Sequence, residues 1–173
     1  AGIPPQTLTL VSDTNTTYLS DTGWKPSVRA WVRREWPTLP DADWIWKSYL
    51  VTPDEAQYGS AIVTFKRAFS LPSNAQDILG QIQITADNAY EVELNGRFIG
   101  RDGILDVLDT TGDFRTIETF PLDARAGDNE LVVRAINYAS PTTRDPYANP
   151  AGLLFRAGIT YYTQTPITPT PSP

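Results

Sequence analysis

The chain of 173 residues contains no cysteine, no histidine and no methionine. The absence of cysteine excludes disulfides, thiolate nucleophiles and zinc sites built on sulfur. The absence of histidine removes the side chain that proteins use most often as a general base and as a metal ligand. Serine, threonine and lysine nucleophiles would have no histidine or cysteine partner to activate them. The composition therefore argues against an enzyme.

Positive charge and long apolar segments are scarce as well. The formal net charge is −6, so the chain lacks the positive surface that nucleic-acid binding requires. No apolar run approaches the roughly 20 residues with which a helix crosses a bilayer. The sequence begins at Ala1 without an initiator methionine, which predicts an extracellular or cell-surface protein exported by a cleaved signal peptide. An artificially chosen start is the alternative interpretation.

The region from Ile62 to Phe155 contains a series of short alternating segments. Residues 90–94 alternate apolar and acidic side chains, as expected of a strand with one buried and one solvated face. The Asn95-Gly96 pair that follows is typical of a type I′ turn, in which both central residues have positive φ. Residues 90–100 are therefore predicted to form a β-hairpin.

Apolar residues recur at alternating positions in several further segments. The predicted inward-facing sets are Val63, Phe65, Phe69 and Leu71; Ile78, Ile82, Ile84 and Ala86; Leu131, Val133 and Ala135; and Leu153, Phe155, Ala157, Ile159 and Tyr161. Glycine, proline, asparagine and aspartate separate these segments, and no amphipathic helix is predicted. About eight short strands with such turns predict an all-β fold, an antiparallel two-sheet β-sandwich.

The predicted sandwich domain spans residues 24–163, between an N-terminal arm of residues 1–23 and a Thr-Pro-rich tail of residues 164–173. An alternating segment in the arm is either a strand at the edge of the domain or a strand donated to a neighbour. The composition of the tail favours extended polyproline II. The predicted subunit-interface residues are Thr7, Leu8, Thr9, Leu10 and Val11 in the arm and Ile167 in the tail.

Four segments resemble a known family of domains. Phe65–Pro72, Ile84–Gly96, Gly127–Val133 and Asn149–Leu153 are similar to the galactose-binding-like jelly-roll domain that is found beside bacterial rhamnosidase-type catalytic domains and in bacterial surface proteins. The resemblance covers residues 44–162 and leaves both tails outside. It implies a jelly-roll sandwich, often with a structural calcium and sometimes with a sugar site in the loops at one end.

Two aspartates are the candidate calcium ligands. Asp87 lies where the resembled family has an acidic or amide pair before its hairpin, and Asp102 is the first of four aspartates between residues 101 and 113. Carboxylate oxygens suit calcium, but this spacing does not match an EF-hand loop. Aspartates in such loops also cap turns through hydrogen bonds to the backbone. A structural calcium at Asp87 and Asp102 is therefore a hypothesis, and no cofactor is required.

All five tryptophans lie between residues 24 and 46. Trp44 and Trp46 precede a strand and are predicted to pack as core or as a lid over one end of a sheet. The candidate carbohydrate-binding residues are Trp24, Trp31, Trp36, Asn137, Tyr138, Arg144 and Tyr147. Aromatic rings can stack on sugars, and loops on a rigid scaffold commonly carry binding groups. Core packing and a protein interface are the alternatives for the tryptophans, and an ordinary polar loop is the alternative for the others.

Three glutamates are candidates for a catalytic set. Glu91 and Glu93 face the same way on one predicted strand, with Glu118 as a candidate neighbour. Paired carboxylates hydrolyse glycosides when one of them is buried and its pKa is raised. Because Glu91 and Glu93 alternate outward from an apolar face, a solvated strand is expected instead. No catalytic residue is predicted.

Two functions remain open at the level of sequence. The first is a non-enzymatic secreted or cell-surface subunit, structural or adhesive, that assembles with copies of itself into a filament or surface layer through extended tails and strand addition. The alternative is a carbohydrate-binding module of a larger secreted protein. The predicted partners are copies of the chain and, on the alternative, glycans, with no nucleic acid and no membrane span.

Overall fold

Alternating apolar residues form two antiparallel six-stranded sheets in the computed structural model of the chain, which describes residues 4–163 and 170–173. The elements are β1 (Gln6–Val11), β2 (Thr17–Ser20), β3 (Gly23–Pro26), β4 (Val28–Arg29), β5 (Ile45–Trp46), α1 (Pro53–Tyr58), β6 (Val63–Leu71), β7 (Ala75–Asp87), β8 (Ala89–Leu94), β9 (Arg97–Asp102), β10 (Glu118–Leu122), β11 (Gly127–Ile136) and β12 (Gly152–Thr163). The predicted all-β sandwich is confirmed.

The two sheets have different strand orders and enclose one main core. The first sheet has the order β10-β7-β12-β5-β4, with β1 also paired to β12, and the second has the order β3-β2-β6-β11-β8-β9. The alternating apolar side chains of both sheets meet between them, as the sequence pattern predicts. Trp46 is fully buried in this core against Phe65, with the ring centroids 5.7 Å apart. Its predicted packing role is confirmed.

The Asn-Gly turn has the predicted conformation and also anchors a second turn. Asn95 and Gly96 have φ values of 52° and 79°, as a type I′ turn requires. The side-chain amide of Asn95 donates to Oδ1 of Asn129, at 2.9 Å. The same oxygen of the buried Asn129 accepts from the backbone N–H of Arg125, at 3.0 Å. One side chain therefore connects the β8–β9 turn to the β10–β11 turn.

Strands β1, β2 and β3 of the N-terminal segment belong to the sandwich. β1 pairs with β12 of the same chain, from Gln6 opposite Tyr161 to Val11 opposite Arg156. β2 and β3 belong to the second sheet. The structure shows β1 as an edge strand of its own domain, which is one of the two alternatives that the sequence left open. It does not show a strand donated to a neighbour. The predicted interface residue Ile167 lies outside the described residues.

The structure contains a short helix, α1, that the sequence pattern does not predict. α1 begins with a capping box in which Thr52 Oγ1 accepts from the backbone N–H of Glu55, and the Glu55 carboxylate accepts from the backbone N–H of Thr52. Pro53 occupies the first helical turn, where its missing N–H costs nothing. Six residues are too few to show a helical period. Within residues 4–163 and 170–173, no helix is long and apolar enough to span a membrane.

Replacing Gly152 with alanine should destabilise the fold, because the added Cβ would lie 2.8 Å from Cε3 of the packed Trp44 ring. We expect a loss of about 1–3 kcal/mol in the free energy of unfolding, the usual cost of overpacking, measured by urea unfolding. Gly158→Ala in the same strand is the matched control, since its Cβ would meet nothing within 4 Å. Equal effects of the two substitutions would contradict the prediction.

Candidate functional site

The strand register brings the longer loops together at one end of the sandwich. β7 ends at Asp87, which lies opposite Gly152 at the start of β12, and β8 begins at Ala89, opposite Ile136 at the end of β11. The segments that meet there are residues 30–44, 47–62 (which include α1), 88, 103–117 and 137–151. We call this the loop end. The Asn95-Gly96 turn lies at the opposite end of the same strands.

An aromatic lid covers the outer face of the first sheet at the loop end. Trp36 contacts Trp44 and Phe114, with ring centroids 4.8 Å and 4.9 Å apart. Together with Leu39 these rings pack over Leu154, which alternates with the core-facing residues of β12. The lid role of Trp44 is confirmed. Trp36 is buried in the same lid, so the structure places it in packing and away from a sugar-binding surface.

Two other predicted residues meet at the surface beside this lid. The rings of Trp31 and Tyr147 lie edge to face, with centroids 5.0 Å apart and an interplanar angle of 87°. Arg33 Nη2 donates to the carbonyl of Ala148 at 3.1 Å, which ties the two loops together. Trp31 is half-buried and Tyr147 is 49% exposed. We call Trp31, Tyr147 and Arg33 the platform.

Asn137 and Tyr138 hold the 137–151 loop in place instead of facing solvent. Asn137 is fully buried, and its Nδ2 donates to the carbonyl of Asn149 at 3.1 Å. The hydroxyl of Tyr138 donates to Oδ2 of Asp109 at 2.7 Å. Burial and the neighbouring Asp109 carboxylate raise the pKa of Tyr138 to about 12. Both predicted sugar contacts are therefore supports of the loop that carries Tyr147.

Arg144 and Trp24 do not join the platform either. Arg144 Nη1 contacts Oδ1 of Asp54 at 2.9 Å and binds the loop to α1. Trp24 lies on β3 in the second sheet, with Nζ of Lys66 4.0 Å from the centroid of its ring. Of the seven residues proposed from sequence, the structure brings together Trp31 and Tyr147. The structure places Arg33 with them in the platform. Tyr49 is a neighbour of the platform, and its carbonyl accepts from the backbone N–H of Trp31 at 2.9 Å.

Asp87 lies beneath the loop end and is 4% exposed. It follows Thr85 on the outer face of β7, and the hydroxyl of Thr85 donates to the carbonyl of Phe114 in the lid. Burial raises the pKa of Asp87 to about 8, against the opposing effects of the Arg33 charge and of a hydrogen bond with Asn88. Its Oδ1 has no hydrogen-bond partner among the described residues. Burial therefore favours the neutral form of the Asp87 carboxyl group.

Asp102 at the end of β9 and the aspartates of the 103–117 loop serve as turn residues. Asp102 Oδ2 accepts from the backbone N–H of Asp113 at 2.8 Å, and Asp109 Oδ2 accepts from that of Ile104 at 3.0 Å. The part of the chain that the structure describes has no group of three or more acidic side chains able to hold a metal ion. Asp87 and Asp102 belong to no such group, and a structural calcium at these two residues stays a hypothesis.

The three glutamates do not form a catalytic pair. The carboxylate of Glu118, on β10 of the first sheet, accepts from the hydroxyl of the buried Tyr90 at 2.7 Å. Burial raises the pKa of Glu118, although its hydrogen bonds oppose this shift. Glu91 and Glu93 lie on the opposite face of β8 from Tyr90, and Glu93 pairs with Arg134 at 3.0 Å. The proposed proximity of Glu118 to Glu91 and Glu93 is wrong.

Comparison with known proteins supports the fold. No protein-family model matches the sequence, and no curated protein matches it. A Bacteroides fragilis protein assigned as a β-galactosidase is 11% identical, with 88% of this chain and 23% of that chain covered and a TM-score of 0.50. The Streptomyces avermitilis α-L-rhamnosidase, solved with L-rhamnose, is 25% identical over 73% of this chain, with a TM-score of 0.48. The resemblance to a galactose-binding-like β-sandwich is confirmed as a fold.

These similarities involve only parts of long proteins. The chain spans 11% of the length of the rhamnosidase and 23% of that of the B. fragilis protein. A family 35 carbohydrate-binding module from Clostridium thermocellum is instead covered over 97% of its length, at 7% identity and a TM-score of 0.43.

Asp87→Asn should remove a pH dependence of stability. Between pH 3.8 and about 8 the unfolded chain releases the Asp87 proton while the folded chain keeps it. The free energy of unfolding therefore falls as pH rises, by roughly 1.4 kcal/mol per pH unit for one proton. We expect the variant to lack this contribution and to be more stable than the parent at pH 8, measured by urea unfolding at pH 5.5 and pH 8. An equal change in the free energy of unfolding with pH in the parent and in the variant would contradict the prediction.

Proposed function

We propose that this domain is a non-catalytic carbohydrate-binding module of a larger secreted protein and that it binds glycans at the platform. The observation that carries the proposal is the edge-to-face contact between Trp31 and Tyr147, at 5.0 Å, beside the exposed Arg33. These residues come from two loops that are far apart in sequence and are joined by the hydrogen bond from Arg33 to the carbonyl of Ala148. A preformed aromatic surface loses little conformational entropy when a ligand binds.

The chemistry of the platform suits a saccharide. The apolar C–H faces of a sugar ring can pack on aromatic rings, while its hydroxyl groups need hydrogen-bond partners around them. The platform provides both, because the guanidinium of Arg33 is held at the carbonyl of Ala148, the residue next to Tyr147, and has further N–H groups to donate. The surrounding loops are fixed on the sandwich by buried side chains such as Asn137. The site is therefore a rigid surface, as expected of a module that recognises one part of a long polymer.

The proposal that the module belongs to a larger protein is supported by the comparisons. Several similar structures are glycan-processing enzymes of which the chain spans only a minor fraction. The family 35 module shows that a domain of this size can occur as a carbohydrate-binding unit. We propose secretion on the same grounds, because polysaccharide substrates are encountered outside the cell.

Trp31→Ala should reduce glycan binding by a factor of 10 or more, because removing a central aromatic contact typically costs more than about 1.4 kcal/mol. Tyr147→Ala should act in the same direction and, being an exposed position, should leave the fold intact. Binding would be measured on an array of plant, bacterial and animal glycans and then by calorimetry. Trp24→Ala is the matched control. If it weakened binding as much as Trp31→Ala, the platform would not be the site.

Self-assembly is a second candidate function, favoured by the outer edge of β1. Among residues 4–163 and 170–173, β1 is paired only with β12, so its other edge presents free N–H and C=O groups. The strand Gln6–Val11 has no charge, proline or glycine. Native sheet edges are usually protected by such residues, and an unprotected edge is a template for strand addition. We propose that copies of the chain assemble through Thr7–Val11 in this way.

Thr9→Lys should abolish assembly, because a charged side chain on an edge strand opposes pairing with another chain. Assembly would be measured by sedimentation velocity over a range of protein concentrations and by electron microscopy. Thr22→Lys adds the same charge at an exposed turn and is the control. A parent protein that remains monomeric at every concentration would overturn this second function.

A further inference from the structure

Arg33 has most of its hydrogen-bonding capacity unused. Its Nη2 donates to the carbonyl of Ala148, and the residue is exposed. A guanidinium group has five N–H donors in one plane, and one hydrogen bond to a carbonyl leaves the others available. None of the ion pairs of the described residues includes Arg33.

The charges around Arg33 do not neutralise it. The charge of Arg33 acts on the buried Asp87, which forms no ion pair with it in the described chain. Glu35 is close in sequence but forms no ion pair with Arg33 in the described chain. Asp145, in the opposite loop, accepts from the backbone N–H of Tyr147 through Oδ1, at 3.0 Å. The positive charge at the platform is therefore available to a ligand.

The geometry favours a planar or tetrahedral anion. Guanidinium groups bind carboxylates and phosphate-like oxyanions through two parallel hydrogen bonds, which a lysine cannot reproduce. The backbone contact to Ala148 holds Arg33 beside Tyr147, so an anion bound there would lie next to the aromatic rings. The chain as a whole is acidic, with a net charge of −6, so nonspecific attraction does not explain affinity for an anionic polymer.

We propose that the glycan bound at the platform is anionic and that Arg33 binds its carboxylate or sulfate groups. This inference rests on the proposed glycan-binding function and specifies its ligand class. The two anionic groups share the same hydrogen-bonding chemistry with a guanidinium. Two pairs of polymers, one differing by its carboxylates and the other by its sulfates, can distinguish between these two groups.

Calorimetry with four polymers tests the inference: polygalacturonate against its methyl-esterified form, and dextran sulfate against dextran. We expect the parent to bind the charged member of at least one pair 10-fold or more tightly than the neutral member. Arg33→Gln should weaken binding to the charged polymer by a larger factor than binding to the neutral one and so remove this preference, and Arg33→Lys should restore it only in part. Arg34→Gln removes the same charge from the adjacent exposed residue and should keep the preference.

Three results would overturn the inference. Equal binding of charged and neutral polymers in the parent would show that the ligand class is wrong while leaving the glycan-binding proposal standing. Equal losses in Arg33→Gln and Arg34→Gln would show that overall charge, and not the platform, selects the anion. Absence of binding to these polymers and to every glycan of the array would overturn both the inference and the proposed function.

Discussion

The pairing of β7 with β12 is the constraint on which the rest of the structure depends. These are the two longest strands, and they are paired from Asp87 opposite Gly152 to Thr163 opposite Ala75. β10 attaches to the free side of β7, while β1 and β5 attach to the other side of β12. The inner face of the pair forms half of the core, and its outer face carries the aromatic lid. The same register fixes the end at which the loops meet.

The loop end combines a stabilising and a destabilising element. The lid buries large aromatic surface over the sheet, and burial of this kind is worth roughly 25 cal/mol for each Å² of apolar surface removed from water. It also takes Asp87 out of water and leaves one of its oxygens without a partner, which costs folding free energy. Strongly perturbed carboxyl groups concentrate at functional sites. Burial favours the neutral form of this carboxyl group, and Arg33 of the platform takes part in none of the ion pairs of the described residues.

The local features of the fold could be predicted from sequence, but the site could not. The Asn95-Gly96 turn and the alternating strands depend on neighbouring residues, and the structure confirms them. Arg33 and Ala148 are 115 residues apart, and no local pattern indicates that their loops meet. Alternation alone places Asp87 on a solvated face, because the lid that covers it comes from distant segments. The capping-box pattern of Thr52 and Glu55 is present in the sequence, but α1 is too short to show the helical repeat of apolar residues.

The antiparallel pairing of β1 with β12 has a consequence for how the domain could be joined to others. Gln6 lies opposite Tyr161, so the strand that enters the sandwich and the strand that leaves it are neighbours, at the end away from the platform. Adjacent entry and exit points allow a domain to be inserted within a surface loop of another protein without separating the ends of that loop. Attached in this way, the domain would present its aromatic surface outward from its host.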